Sequence, residues 1–242
     1  MAKRSNTILA ERRRIWKSKE IIRRLYCRWY DLIKEALRGG RTLELGGGSG
    51  NLKEFLPDAI SSDVLFAPWL DAVIDAHKLP FKNDSFNNIV LFDVLHHLSA
   101  PLLFFHEAER VLRSKGRLVM MEPCISWASY FVYRFLHAEG MKWNVDPFGT
   151  DSFARKAPFD GNQSIPTLIF EKYRKVFIES FPEMRIIEEK KMDTLIYPLS
   201  GGFHQRNLCP RFLWSSLEYL ENLFEPVGEY LAFRLFITLE KK

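Results

Sequence analysis

Cysteine is scarce here: three in 242 residues, Cys27, Cys124 and Cys209, far apart and odd in number. That spacing supports neither a disulfide framework nor a zinc site and points to a reducing compartment. No apolar run approaches the roughly 18 residues that a membrane span needs. The basic N-terminal stretch has no apolar core of a signal peptide, so a cytoplasmic location is expected. No carboxylates pair at metal-ligand spacing, so no metal is expected. Internal repeats and low-complexity tracts are lacking too. What is present, 47% hydrophobic and 27% charged residues, is ordinary for a globular chain and long enough for one large domain with a lid.

The net charge of +5 is unevenly spread: residues 1–41 carry 13 Lys/Arg against 4 Asp/Glu, and the rest is acidic. Ile15, Ile22, Leu25, Trp29, Leu32 and Ala36 fall on a helical stripe, which predicts one long helix over 11–38, ended by Gly39-Gly40. The arginines between them give a solvated basic face, or one attracted to an anionic acceptor, a lipid surface or nucleic acid.

The stretch RTLELGGGSGN, residues 41–51, organises the remainder of the chain. Thr42–Leu45 reads as a short buried strand. Gly46, Gly47, Gly48 and Gly50 then form a turn, and Leu52, Phe55 and Leu56 begin a helical spacing. Strand, glycine turn and helix present bare backbone to a ligand at a strand's carboxyl end. Asp63, 17 positions after Gly46, stands at the tip of the next predicted strand, 59–64, where a carboxylate can accept from two ribose hydroxyls. Residues 72–75 read as a third strand. Asn88–Asp93 reads as a central strand buried on both faces, with His96 and His97 just past its carboxyl end.

The pattern E-x-G-x-G-x-G from Glu44, then D-A-x-x-L-P-F from Asp75 and L-H-H-L at 95–98, resembles the class I S-adenosylmethionine-dependent methyltransferases, in their small-molecule, type 11-like branch. H-E-A-E-R-V-L-R, residues 106–113, resembles it as well. The resemblance implies an α/β, doubly wound, seven-stranded, mostly parallel Rossmann-like sheet with an antiparallel last strand and helical cap or lid insertions. Residues 1–40 would be a basic helix packed on a single domain, 41–242, with a cap insertion at about 123–164. It also implies S-adenosyl-L-methionine as cofactor and S-adenosyl-L-homocysteine as product. Glu44, Gly46, Gly47, Gly48, Gly50 and Asp63 would hold it, with Asp75, Ala76 and His77 at the adenine and Phe92, Asp93 and His97 at the methionine end. Leu79-Pro80-Phe81 would be an apolar turn near the adenine. One departure stands out: only 11 residues separate Asp63 from Asp75, too few for the usual helix. The adenine is then less covered, unless Phe66 or Trp69 fills the gap.

Beyond 123 the chain predicts helices at 126–137, 165–181 and 211–224, strands at 185–197 and 229–240, and a loop or lid at 140–164. Ser99 is the expected cap of a helix starting at Pro101. Methyl transfer to a hydroxyl needs positioning and a general base. His97, His137 and His204 are the candidate bases, with Glu139 and Tyr133 behind them. The aromatic content of 123–181 suits an apolar or aromatic small-molecule acceptor, methylated at oxygen. The strand end FDVLHH lacks the acidic–proline–proline–aromatic signature of DNA amino-methylating enzymes, which argues against a nucleic-acid substrate. Peripheral membrane contact through the basic helix is compatible. The competing readings are a nicotinamide-dependent oxidoreductase and a non-catalytic protein tethered by the basic helix.

Overall fold

The computed structural model describes residues 2–135, 140–149, 157–203 and 205–242. Seven strands form one sheet: β1 (Thr42–Leu45), β2 (Ile60–Asp63), β3 (Ala72–Val73), β4 (Phe86–Phe92), β5 (Leu112–Pro123), β6 (Met184–Met192) and β7 (Arg234–Lys241). Their order is β3-β2-β1-β4-β5-β7-β6. The first five are parallel, and β7 runs antiparallel to both β5 and β6. This is the doubly wound sheet of the methyltransferase fold, as the resemblance implied. An all-parallel dinucleotide-binding sheet has no such reversed strand.

Alternation along the central strands divides the core in two. Ile89 and Leu91 of β4 and Leu118 and Met120 of β5 face one side. There α3 (Pro101–Val111) packs, with the segment α5 (Ile165–Thr167), a π turn (Leu168–Lys172) and α6 (Arg174–Ser180). Val90, Phe92, Val119 and Met121 face the other. That side is covered by α1 (Ala2–Ser18), α2 (Glu20–Ala36), α7 (Ile196–Ser200) and α8 (Trp214–Leu223). Two further helices among the described residues are α4 (Trp127–Phe135), after β5, and α9 (Gly228–Leu231), before β7. No described helix is long and apolar enough to cross a membrane.

Several sequence expectations need correction. The helix over 11–38 is two helices, broken at Lys19, whose backbone is extended (φ −95°, ψ 90°). Neither glycine nor proline marks the break. Lys19 Nζ instead donates to the carbonyls of Gly202 and Gln205, which holds the bend. The glycine turn leads into a single 3-10 turn, Leu52–Glu54, and not a helix; Pro57 and the start of β2 leave no room for more. Residues 165–181 are interrupted by the π turn, in which Tyr173 N–H reaches back to Leu168. The final strand starts at Arg234, after the short α9, rather than at 229. Ser99 does not cap α3: the capping position is Ala100, and no side chain bonds there.

The crossovers β1–β2 and β2–β3 therefore carry no α-helix, although parallel strands are joined by about a dozen or more residues, most often helical. The N-terminal helices cover the face left bare. Tyr30 packs on Phe55 at 4.9 Å between ring centroids, and Trp16 Nε1 donates to Glu54 at 2.9 Å. Trp29 is wholly buried, and its Nε1 donates to Asp193 at 2.7 Å. Trp29→Ala should thus destabilise the protein by about 3–5 kcal/mol. Phe66→Ala, at a side chain 64% exposed, should stay within about 0.5 kcal/mol of the parent. Urea unfolding of the two variants checks this.

Candidate functional site

The glycine turn is built as the spacing predicts. Gly46 and Gly50 have φ of 73° and 74°, which an L-side chain rarely adopts. A Cβ at Gly46 would lie 2.2 Å from Val94 Cγ2, and one at Gly50 2.7 Å from Trp69 Cδ1. At Gly48 a Cβ would meet only Gly46 O and Leu9 Cδ2, each at 3.8 Å, so this part of the turn is open. Three contacts fix the loop. Asp63 Oδ2 accepts from Gly48 N at 3.0 Å, Trp69 Nε1 donates to Gly48 O at 2.9 Å, and Arg13 Nη1 donates to Ser49 O at 3.2 Å.

Above the carboxyl ends of β1, β2 and β4 lies a cavity of about 870 Å³. Glu44, Gly46, Gly47, Gly48, Asp63, Asp75, Ala76, His77, Phe92, Asp93 and His97 all line it. Gly50 does not; it is turned beneath Trp69 and Arg13. Leu79-Pro80-Phe81 is not a wall either. Leu79 is buried in the core, and Arg110 holds the turn through the carbonyls of Leu79 and Phe81. Phe66 and Trp69 leave the expected gap to Val64 and Leu65, which line the cavity in their place. His137, His204 and Glu139 lie outside the described residues.

The carboxylates differ in state. Asp63 is nearly buried, and burial raises its pKa against the opposing N–H bonds from Leu65 and Gly48. Each of its oxygens accepts one backbone N–H, so each keeps a second lone pair. Asp75 is more open, and although burial would raise it, bonds from His77 N and Nδ1 hold it below the ordinary range. His77 Nε2 in turn accepts from Ala100 N at 3.2 Å, so the ring ties the end of β3 to the start of α3. Glu44 is buried beneath the turn, where burial pushes it up to about 7 despite a bond from Ser61 Oγ.

Two buried pairs escaped the sequence reading. Glu122, at the end of β5, accepts from Val94 N and Leu95 N at 2.8 Å and pairs with His96 Nδ1 at 2.7 Å. His96 stacks on His97 with centroids 4.1 Å apart. Arg234, 1% exposed, reaches from β7 to Asp93 Oδ1 at 2.7 Å and lies against Trp29, Phe92 and Tyr197. Asp93, His96 and Glu122 offer ligand atoms within 4.8 Å of one another. Both Glu122 oxygens are bonded, however, and the cation facing Asp93 is already Arg234, so the cluster does not suit a metal ion. Residues from before the glycine turn and from the second half of the chain complete the walls, among them Tyr26, Tyr30, Tyr133, Phe159 and Tyr197.

The N-terminal arginines are largely committed to the protein. Arg23 pairs with Glu54, Arg28 with Asp193, Arg38 with Glu240, and Arg24 lies over Trp214. These pairings favour an N-terminal segment packed on the domain over a purely electrostatic tether.

Residues 43–120 match the family described as a methyltransferase domain. No curated protein matches the sequence. Solved structures share the fold at low identity. The 4+2 cyclase SpnF is 16% identical, with TM-score 0.54, over 88% of this chain and 80% of that one. A SAM-dependent methyltransferase from Archaeoglobus fulgidus is 12% identical, TM-score 0.54, over 90% and 94%. A chain from the complex of the Haloferax volcanii Trm112 methyltransferase activator is 15% identical, TM-score 0.53, over 100% and 97%.

The state of Glu44 has a measurable sign. Its folded pKa of about 7 stands above the ordinary 4.5, so between those values the folded state holds a proton that the unfolded state has released. Stability is then highest below about pH 4.5 and falls by up to about 3 kcal/mol as pH rises to about 7. Asp193, pushed up to about 6 by burial, adds a slope of the same sign. Glu44→Gln should remove its own share of the decline and leave that of Asp193. Denaturant unfolding of the ligand-free protein across this range reads the difference.

Proposed function

We propose, for a chain with the fold and the matched core of a class I S-adenosylmethionine-dependent methyltransferase, that it methylates an oxygen of an apolar or aromatic small-molecule acceptor and releases S-adenosyl-L-homocysteine. The observation that carries this reading is the single continuous cavity. One end has an open glycine turn and two carboxylates, and the other has aromatic walls.

The residues present fit the cofactor. Gly48 leaves room for close approach. Asp63 is fixed by its own backbone bonds and retains a lone pair on each oxygen for two vicinal hydroxyls. Asp75 offers an exposed acceptor for an exocyclic amine, beside the backbone of Ala76. Bound there, the cofactor supplies a methyl group activated by its positively charged sulfur. Tyr26, Tyr30 and Phe92 exclude water, which leaves positioning as the main contribution to rate. His97 is the base for the acceptor hydroxyl. Of the cavity histidines, His96 is buried and His77 is held through both ring nitrogens by Asp75 and Ala100, whereas the His97 ring keeps some exposure and lies against His96, which Glu122 holds. His137 and His204 remain candidates by sequence alone.

The nicotinamide reading is disfavoured by the reversed β7, and the tethered non-catalytic reading by the engagement of the basic side chains. SpnF, described as a cyclase, has a similar fold, so the fold does not decide the reaction and the site must.

Calorimetry should detect micromolar binding of S-adenosylhomocysteine. Asp63→Ala and Asp75→Ala should each weaken it by about 1.5–3 kcal/mol, the range for a hydrogen bond to a charged group. No binding by the parent, or unchanged affinity in both variants, overturns the cofactor site. His97→Gln should leave that affinity unaltered. On whichever hydroxyl acceptor is turned over, it should lower kcat by about 10²–10⁴-fold, with the loss reduced at high pH.

A further inference from the structure

The inner and outer faces of α4 differ sharply. Val132 and Tyr133 on the inner face line the cavity, and Tyr133 is buried with its hydroxyl on Phe233 O. Trp127, Phe131 and Phe135 stand on the outer face at intervals of four and are 76%, 59% and 71% exposed. Tyr130 and Arg134 lie on the same side and are exposed too. A helix built this way is apolar on both sides, although only one side meets the protein.

The cavity has a second apolar rim. Arg206 and Leu208 line it and are also exposed, and Phe212, four residues on, is 82% exposed. Arg211 stands next to it on the surface. Exposed apolar groups on this scale, flanking a cavity, mark an interaction surface rather than ordinary scatter.

We infer that this rim docks on a lipid bilayer containing anionic lipid, so that the cavity opens onto the membrane interface and takes its acceptor from there. The inference rests on the methyl-transfer reading and narrows its acceptor to a lipid-soluble molecule. Three features favour a bilayer over a protein partner. The outer face of α4 is made of Trp, Tyr and Phe, the residues that settle at the headgroup level. An arginine accompanies each cluster, Arg134 on α4 and Arg206 beside Leu208, where anionic headgroups would lie. The same helix bounds the cavity through Val132 and Tyr133, so the apolar face and the cavity share one element. Of the acidic residues nearby, Glu221 is buried and accepts from Thr194 N and Leu195 N, Glu218 takes Trp214 Nε1, Glu20 pairs with Arg211 at 3.4 Å, and Glu229 is exposed, 3.8 Å from Lys191. The surface thus depends on the aromatic face and its arginines, not on the committed arginines of α2.

The test is flotation of the full chain with vesicles of phosphatidylcholine, alone or mixed with phosphatidylglycerol. The parent should float with the mixed vesicles and less with the neutral ones, and added salt should weaken but not abolish flotation. The triple variant Trp127→Ser, Phe131→Ser, Phe135→Ser should lose at least about tenfold in partitioning, as expected for removing inserted apolar area, and should keep the parent's affinity for S-adenosylhomocysteine. Phe212→Ser, on the separate rim, should lose part of the partitioning independently. A parent that stays unbound to both vesicle types at low salt overturns the inference. So does a Phe212→Ser protein that floats like the parent, or a parent that forms a dimer in light scattering which the triple variant abolishes. Calorimetry separates the readings: failure to float with intact S-adenosylhomocysteine binding defeats the membrane inference and leaves the enzyme assignment standing.

Discussion

The constraint on which this structure depends is the shortness of its first two crossovers. Parallel neighbours β1, β2 and β3 are joined by turns where helices would ordinarily lie, so one face of the sheet has no cover of its own. Apolar strand residues such as Val90 and Phe92 cannot remain there in water without forfeiting roughly 1.5–3 kcal/mol each. The cover comes from the N-terminal helices, and α2 presents Trp29, Tyr26 and Tyr30 to the sheet. Because that cover is borrowed, it also determines the site. Tyr26 stacks on Phe92 with centroids 4.8 Å apart, and both line the cavity. The bend at Lys19 then carries α1 over the glycine turn, where Arg13 and Leu9 meet it.

Buried charge ties these additions to the strand ends. Arg234 meets Asp93 from across the sheet, Arg28 and Trp29 meet Asp193, and His96 meets Glu122. A buried ion that loses its partner costs several kcal/mol, so each pair is specific about which elements come together. Arg234 joins β7 to the end of β4 beneath Trp29 of α2. The position of Asp93 in the cavity, at a residue with φ of 55°, is therefore set from three elements rather than by the local chain.

The legible part was what depends on neighbours in sequence. Alternation and composition marked the strands, the glycine spacing marked the turn, Asp63 followed from its distance to it, and Asp75 from the family resemblance of D-A-x-x-L-P-F. Pro57 is the local sign that no helix follows Leu52, against the apolar spacing of Leu52, Phe55 and Leu56. The break at Lys19 had no local sign, because its cause is a pair of carbonyls near residue 203. The pairs His96–Glu122 and Asp93–Arg234 were invisible for a related reason. Their members are 26 and 141 residues apart, and in sequence Glu122 and Arg234 read as ordinary strand ends. Asp75 was legible as a residue but not in its setting, since His77 binds it through both backbone and ring.

The division of the cavity runs along the same line. Its glycine turn, Asp63, Asp75, Phe92 and His97 all fall within residues 43–120, the span that matches the methyltransferase domain. Tyr26, Tyr133, Phe159, Tyr197 and Arg234 all fall outside it. The matched segment thus covers the glycine-turn end of the cavity, with His97, and most of the aromatic walls lie outside it. Tyr26 and Tyr30 of α2 line the cavity and also cover the sheet, so a substitution there reshapes the cavity and alters stability together, whereas the outer face of α4 is free of the core and can change without that coupling.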